Sequence, residues 1–460
     1  MAESVATYVA ETMDDAPMTS FHWRVVALIS AGFFIDLVDI AVFGSVVPDM
    51  RSSGFATPSQ IALMISAVFA GTLVGSVGQG ELTDRFGRKA IYQANLLVFG
   101  LATLASAFSP NYLVFAALRF VAGIGLGAEV PLCFAYAAEF APKQIRGRIM
   151  AFTHFIGGAS SWPCAILFAL AFRELIGWRG LFAAIGVAAL IVFVFRVTLP
   201  ESPRWLATHG QGRRALDILK RMGLPAPASP LVEDAASDLH GDPVLVVFRH
   251  YRKPIIAAMV AFFTIYCAVY IVATWLPSLM ATERGFTVTK ALTFTFGMTL
   301  AYPLSSAFMM YALDRIGRIK VAICGLMAAA VMSLIFWQSN SQAMLLVTGF
   351  LMFFCMQTGT NAMLIYTGEI FPTNARASGL GIALGVSKIG ALVSGYTVVF
   401  VQAFGTPAVF VLMAALLVIG AAAVLMIGRE TKGLPLDVIA PPESSFAEQP
   451  QDYPARSIAT

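Results

Sequence analysis

The chain carries two acidic residues inside an apolar stretch. The segment FFIDLVDIAVFG, residues 33–44, contains Asp36 and Asp39 and is otherwise almost wholly apolar. The two acids are three positions apart, so a helix would place both on one face. An acid at the centre of a bilayer costs about 2.5–3.5 kcal/mol on insertion scales, which marks it as functional by default. Burial favours the protonated acid and a nearby guanidinium favours the carboxylate, a balance that suits loading and release of a proton.

Four more charged or titratable residues lie in apolar stretches: Arg119, Glu129, His154 and Lys388. Lys388 is about twelve residues into its stretch, where a buried ammonium is well explained by a carboxylate substrate. Snorkelling to an interface is the alternative for this lysine. For Arg119, the alternative is a static Asp–Arg pair that fixes two helices together. A lone membrane histidine such as His154 can also serve only as a hydrogen-bonding contact between helices.

These residues are positioned by membrane-spanning helices. The 460 residues are 58% hydrophobic, with a mean hydropathy of +0.77, which lies outside the range of soluble proteins. Stretches of at least about 18–20 apolar residues, enough to cross a hydrocarbon core of about 30 Å, recur twelve times. The predicted spans are 24–48, 61–80, 90–109, 111–138, 149–172, 179–199, 254–280, 289–312, 320–338, 342–367, 376–401 and 407–428. The polar, acidic first twenty residues have no signal-peptide pattern.

The distribution of basic residues predicts the orientation. Most of the 30 Lys and Arg residues fall on the inner side if the N-terminus is inside, as the positive-inside rule requires. We therefore expect both termini to be cytoplasmic, in a cell inner (plasma) membrane. The formal net charge of +4 follows from this asymmetry and gives no indication of nucleic-acid binding.

An internal repeat divides the chain into two halves. DRFGRK begins at Asp84 and DRIGRIK at Asp314, while EFAPKQIR begins at Glu139 and EIFPTNAR at Glu369, so both pairs are 230 residues apart. Two copies of a six-span unit are typical of secondary transporters. The predicted units are an N-terminal tail (1–23), a six-helix bundle (24–199), a cytoplasmic linker (200–253), a second six-helix bundle (254–428) and a C-terminal tail (429–460).

Other function classes are not supported by the motifs. Gly123, Gly125, Gly127 and Ala128 fit the letters of a GxGxxA dinucleotide fingerprint, but they lie in an apolar run without the strand that this fingerprint needs. Gly123 and Gly127 fall on one helix face and predict close helix packing. The chain has no Walker sequence, and its five cysteines lack metal-ligand spacing. We expect no enzyme activity, no cofactor and no metal site.

The motifs carry a family resemblance over roughly residues 20 to 435. GELTDRFGRK at 80–89, with its second copy from Asp314, resembles the loop 2–3 signature of the major facilitator superfamily. RFVAGIGLGAEVP and EFAPKQIRGR, then PESPRW at 200–205 and ETKG at 430–433, are similar to the sugar-porter branch and its metabolite and organic-ion relatives. The resemblance implies an all-α membrane protein of twelve transmembrane helices in two six-helix bundles, with alternating access and no cofactor.

The resemblance also implies a gate at the cytoplasmic helix ends. Acidic and basic residues there would pair across the bundles when the inner side is closed and separate when it opens. Ordinary positive-inside charges are the alternative. The predicted gating residues are Asp84, Arg88, Glu139, Arg146, Asp314, Arg318, Glu369 and Arg376.

Proton coupling is implied by the same alignment of motifs. Asp39 matches the helix 1 aspartate of proton-coupled sugar porters and Arg119 matches their helix 4 arginine. The spacing of Asp36 and Asp39 is similar to that in aromatic-acid/proton symporters. The predicted proton-coupling residues are therefore Asp36, Asp39, Arg119 and Glu129, with Arg119 changing partner as the proton arrives.

The substrate prediction rests on departures from the sugar porters. Helix 7 reads FFTIYCAVYIVATWLP and lacks the glutamine pair and the asparagine of those proteins, and His154 falls where they have a sugar-binding glutamine. Lys388 lies where organic-anion carriers of this branch often have a basic residue. The predicted substrate-binding residues are Lys388, His154, Tyr266, Tyr270, Gln357 and Asn361. Aromatic packing and hydrogen bonding between helices are the alternatives for the last four.

We therefore predict a proton-coupled symporter of a small organic acid, with aromatic carboxylates as a candidate subclass. Its partners would be the small-molecule substrate, protons and the lipid bilayer, and we expect it to work as a monomer. The alternatives are a sugar or polyol proton symporter, a drug/proton antiporter, and a ligand sensor that does not transport.

Overall fold

The structure is a computed structural model in which the described elements are helical. It describes residues 4–127, 129–225, 227, 231–232, 247–249, 251–371, 376–428 and 430–432. The side chains at 77–81, 84, 85, 310, 314, 376 and 377 lie outside this description.

The first half contains spans 1 to 6. Spans 1, 2 and 3 are Ser20–Ser52, Pro58–Phe86 and Arg88–Ser106, and span 4 consists of Tyr112–Leu126 and Glu129–Phe140. Span 5 begins with Arg146–Thr153 and the π-helix His154–Ala159, and Ser161–Arg196 supplies the rest of span 5 and all of span 6. Gly177, with a φ of 68°, separates these two spans inside that helix. A positive φ of this size favours glycine, which explains the residue at the turn.

The second half contains spans 7 to 12. They are Arg252–Glu283 (span 7), Val288–Thr299 with Ala301–Ile316 (span 8), Arg318–Gln338 (span 9), Gln342–Glu369 (span 10), Arg376–Gln402 (span 11) and Thr406–Ile427 (span 12). Nine helical runs in the described part are long and apolar enough to cross a membrane, and one of them, Arg146–Arg196, holds two crossings. With spans 3 and 8 the count is twelve, which confirms the predicted fold class.

The repeat is visible in the turns that follow spans 2 and 8. Gly87 and Gly317 begin the next spans with φ values of 92° and 109°. In the first half, Glu201 accepts from the backbone N–H of Lys89 at 3.1 Å. In the second half, Glu430 accepts from the backbone N–H of Arg318 at 2.8 Å. An acid supplied from beyond each bundle therefore satisfies the first N–H groups of spans 3 and 9.

The two bundles meet in the half of the molecule opposite the linker. Ser66 of span 2 donates to the carbonyl of Leu392 in span 11 at 2.7 Å. The rings of Phe69 and Tyr270 are 4.5 Å apart between spans 2 and 7. Gly44 of span 1 packs so closely on span 7 that an added Cβ would be 2.8 Å from the carbonyl oxygen of residue 273. These contacts close the end opposite the linker.

An N-terminal helix, Val5–Asp14, packs on the linker helices Pro203–Thr208 and Gly212–Arg221. Asp14 at its end accepts from Arg146 at 2.5 Å and from Arg204 at 2.6 Å. Partial burial raises the pKa of Asp14, but the two guanidinium groups outweigh it and leave this pKa below its ordinary value. We call the end that carries these helices the linker face.

Candidate proton and substrate site

Asp39 and Arg119 form an ion pair between spans 1 and 4. Arg119 Nη1 donates to both carboxylate oxygens of Asp39 at 2.9 Å. Its Nη2 donates to Thr103 Oγ1 at 2.8 Å and to Ser106 Oγ at 3.1 Å. Both charged side chains are fully buried. The structure places the two predicted residues in contact, as both the proton-coupling and the static-pair interpretations require.

A second buried ion pair joins Glu129 of span 4 to Arg196 of span 6. Arg196 also donates to Tyr92 Oη at 2.9 Å and to the carbonyl of Leu28 at 3.1 Å. Gly32 provides the space for this pair, because an added Cβ would fall 1.7 Å from Arg196 Nη2. The pair therefore lies against span 1, one helical turn before Asp36.

Arg196 is a candidate residue that the sequence interpretation missed. It ends span 6, where the positive-inside rule predicts a solvated basic residue at a cytoplasmic helix end, so its position alone gives no sign of a buried role. The structure buries it completely. The available signal was Glu129, since a buried carboxylate needs a cationic partner and Asp39 already accounts for Arg119.

Asp36 differs from the other two acids. Its side chain is 4% exposed, and its Oδ2 accepts no hydrogen bond from the described residues. The charged groups around it are Glu129 of span 4, Arg196 of span 6, Asp39 of its own span and Lys388 of span 11. Because both arginines are already engaged by other carboxylates, Asp36 is the acid without a hydrogen-bonded cation in the described part of the site.

Lys388 is the cation that the second bundle contributes. It is half-buried in the middle of span 11, and Asp36 is the charged group that acts on it. Its position near the middle of the span argues against snorkelling, because both interfaces lie far from it. The predicted substrate contact and the predicted proton-coupling acid therefore lie on different bundles, near enough for their charges to act on each other.

Span 7 carries the two tyrosines predicted as substrate contacts. Tyr266 and Tyr270, on one face of span 7, have ring centroids 6.3 Å apart. Tyr270 packs on Phe69 of the first bundle, whereas Tyr266 is half-buried. Tyr270 therefore belongs to the contact between the bundles, and Tyr266 is the more accessible of the two predicted residues.

His154 begins the π-helix of span 5. Its ring stacks on that of Phe134 in span 4, with centroids 6.4 Å apart and an angle of 23° between the planes. Short π-helical segments often occur at functional sites because they redirect side chains. The side chain is half-buried, so the structure leaves it accessible for a substrate contact.

Gln357 and Asn361 lie one turn apart on span 10. Gln357 Nε2 donates to Asn361 Oδ1 at 3.3 Å, and both side chains are half-buried. Each amide keeps further donors and acceptors beyond this single bond. The predicted shared face is present, with the two amides bonded to each other.

Four of the eight predicted gating residues form ion pairs within a bundle. Arg88 pairs with Glu139 in the first half, and Arg318 pairs with Glu369 at 3.2 Å in the second. Arg146 pairs with Asp14 of the N-terminal helix. The side chains of Asp84, Asp314 and Arg376 lie outside the described residues. Intra-bundle pairing agrees with a molecule whose bundles meet at the opposite end.

Residues 25–441 match the family model described as "Sugar (and other) transporter". The niacin transporter of Acinetobacter baylyi is 28% identical to this chain over 439 residues, with 93% of the chain and 98% of the relative covered. The 4-hydroxybenzoate transporter of Pseudomonas aeruginosa is 28% identical over 395 residues, with 83% and 86% covered.

Among solved structures, the xylose transporter of E. coli in a partially occluded inward-open conformation has a TM-score of 0.72 and 20% identity. The match covers 91% of this chain and all of that chain. At this identity it supports the fold alone. From the family match and the twelve-helix architecture, the chain belongs to the sugar (and other) transporter family of the major facilitator superfamily, and it is a membrane transporter rather than an enzyme.

Proposed function

We propose that this transporter couples the uptake of a small organic acid to the movement of protons, with aromatic monocarboxylates as the first substrates to test. One observation carries the proposal: the buried Asp36 carboxylate accepts no hydrogen bond on its Oδ2 from the described residues, and the charge of Lys388, on the opposite bundle, acts on it. The acid could hold a proton and the ammonium could hold a substrate carboxylate. Together the two residues would supply both functions between the bundles.

The chemistry around Lys388 favours an aromatic acid over a sugar. An ammonium in a low-dielectric site binds a carboxylate far better than a neutral hydroxyl. Tyr266 and the ring of His154 offer flat apolar surfaces on which an aromatic ring can stack. The relatives named for niacin, 4-hydroxybenzoate and benzoate carry aromatic carboxylates, which supports the same substrate class.

Transport would proceed by alternating access. The bundles meet opposite the linker, so the structure corresponds to a state open towards the linker face, which we take to be cytoplasmic. In the opposite state the ends of the bundles at the linker face must meet. The intra-bundle pairs Arg88–Glu139 and Arg318–Glu369 would then exchange partners across the bundles, because only contacts that differ between states can bias an equilibrium.

Uptake into proteoliposomes tests the proposal. The panel consists of radiolabelled benzoate, 4-hydroxybenzoate, niacin and xylose, and the vesicles are acidic outside. We expect at least one of the three acids to accumulate above its outside concentration, and we expect accumulation to stop when a protonophore collapses the gradient. Xylose serves as the neutral comparison. Accumulation of xylose alone would favour the sugar porter, and binding without any flux would favour the sensor.

A further inference from the structure

The buried charges of the first bundle do not cancel. In its described part, the membrane spans bury three carboxylic acids, Asp36, Asp39 and Glu129, and two arginines, Arg119 and Arg196, with no buried lysine. Three acids against two permanently charged guanidinium groups leave one excess negative charge when every acid is ionised. An uncompensated charge removed from water is costly, so the excess charge needs either a proton or another cation.

The hydrogen bonds identify which acid carries the excess charge. Arg119 engages both oxygens of Asp39, and Arg196 engages Glu129. Arg196 and Lys388 are the cations that act on Asp36, and among the described residues Lys388, on the other bundle, is the one of the two that no other carboxylate bonds. This assignment does not depend on the substrate, because it follows from which partners the two arginines already hold.

We propose that Asp36 is the acid that binds the coupling proton, and that Asp36 and the substrate carboxylate compete for Lys388. In the empty carrier, ionised Asp36 faces Lys388. When a substrate carboxylate takes the lysine, Asp36 loses its cation and binds a proton. The proton adds to a carboxylate oxygen of Asp36, and its release regenerates the carboxylate. This inference rests on the proposed function.

The replacement of the Asp36 carboxylate by a substrate carboxylate at Lys388 fixes the number of protons moved with each substrate. One monocarboxylate brings one negative charge and one proton brings one positive charge, so the loaded and empty sites carry the same net charge. The carrier would therefore move one proton with each monocarboxylate, and transport would be electroneutral. The pH gradient alone would drive accumulation, and the membrane potential would not contribute.

The surrounding groups explain why the proton goes to Asp36 and not to a neighbour. Glu129 and Asp39 are the acids that act on Asp36, and each is bonded to an arginine, Arg196 and Arg119 respectively. Asp36 is bonded to neither arginine, so its charge would be the one left without a cation once a substrate occupies Lys388. Arg196 is then a positioning residue, because it acts through Glu129.

Proton uptake on binding tests the competition directly. The purified carrier in detergent is titrated with each panel acid in weakly buffered solution, and the pH change is recorded. We expect about one proton to be taken up per acid bound, and the Kd to rise about tenfold per pH unit wherever empty-state Asp36 is ionised. In Asp36→Asn, we expect binding without proton uptake and a Kd that does not change with pH.

The outcomes separate this inference from the proposed function. If no panel acid binds the wild type, the proposed function fails. If an acid binds and wild type takes up no proton, or if Asp36→Asn still takes one up, the competition is wrong.

Wild-type flux provides a measurement that does not depend on any variant folding. A potassium gradient with valinomycin sets the membrane potential of the proteoliposomes while the pH is held equal on both sides. We expect the initial rate of uptake of the acid to be unchanged by the sign of the potential. A severalfold change in rate with potential would overturn the one-to-one stoichiometry.

Discussion

The two bundles share their gates but not their buried charges. At the linker face, Arg88–Glu139 and Arg318–Glu369 are the same pair at equivalent positions of the repeat. Inside the membrane, the described part of the first bundle buries five acidic or arginine side chains, whereas the described spans of the second bundle have no Asp, Glu, Lys or Arg among their fully buried residues. The repeat therefore preserves the two ion pairs, which we propose to act as gates. We propose that the chemistry is divided, with the proton in the first half and the substrate charge at Lys388 in the second.

The largest effect should come from separating a buried pair of the first bundle. Arg196→Ala leaves Glu129 without its cation, which we expect to destabilise the protein by about 3–5 kcal/mol. The double variant Glu129→Gln/Arg196→Gln should be clearly less destabilised, because no charge is left alone. Thermal unfolding in detergent gives the comparison. Equal losses for single and double variants would show that packing, and not charge, is what the pair contributes.

Substitution of the lysine in the second bundle should affect binding and leave folding largely intact. We expect Lys388→Ala to weaken binding of a panel acid by about 2–5 kcal/mol, because the substrate charge would be buried without a partner. Lys388→Arg should retain much of the affinity, although a flat guanidinium fills a different space. Ligand-induced thermal stabilisation measures both.

A matched neutral ligand provides the control for Lys388. The amide of the same acid loses only one hydrogen bond in Lys388→Ala, about 0.5–1.5 kcal/mol. If Lys388→Ala binds the acid as well as wild type does, the organic-acid proposal loses its main support and the sugar or polyol alternative becomes the stronger one.

Substitutions at the two proposed gating pairs should lower stability equally in the two halves, and by less than the substitution of Arg196. Arg88→Gln and Arg318→Gln each remove one partly exposed pair, worth about 0–1 kcal/mol in stability. We expect the two variants to have similar unfolding temperatures, because the pairs are equivalent in the repeat. A loss in one half several times that in the other would show that the gates, like the buried charges, have diverged.

The smallest effect concerns the N-terminal helix, which packs on the first half and the linker. The folded pKa of Asp14 lies below its ordinary value, so its pairing with Arg146 and Arg204 contributes stability above the ordinary pKa of aspartate. This stability is lost as the pH falls through the folded pKa. Hydrogen exchange of residues 5–14 should therefore accelerate on acidification, and Asp14→Asn should exchange faster at neutral pH and depend less on pH. Identical profiles would contradict this.

The spans could be predicted because each is a local apolar run. The two halves could be predicted because short motifs recur 230 residues apart. Asp36 and Asp39 could be predicted together as candidate residues from the cost of an acid in a membrane. What distinguishes Asp36 from Asp39 could not be predicted, since the partners of the two acids come from spans 4, 6 and 11 and depend on packing.

Two other features could not be predicted from the sequence, and each has a physical reason. Arg196 occupies a helix end where a cation is ordinarily solvated, and only the gap at Gly32 allows it to turn inward. The sequence predicts a tail over residues 1–23 and does not predict the N-terminal helix, because this helix is short and weakly apolar. Its buried residues Val9 and Met13 find their apolar partners in the linker, about two hundred residues away.

The division of labour between the bundles is tested most directly by comparing exchange with uphill uptake in Asp36→Asn. Exchange of labelled for unlabelled acid needs only the substrate site, whereas accumulation also needs a group that gains and loses a proton. We predict that Asp36→Asn proteoliposomes exchange a panel acid at a rate near that of wild type and do not accumulate it under an inward proton gradient. Accumulation to the wild-type level would contradict the account.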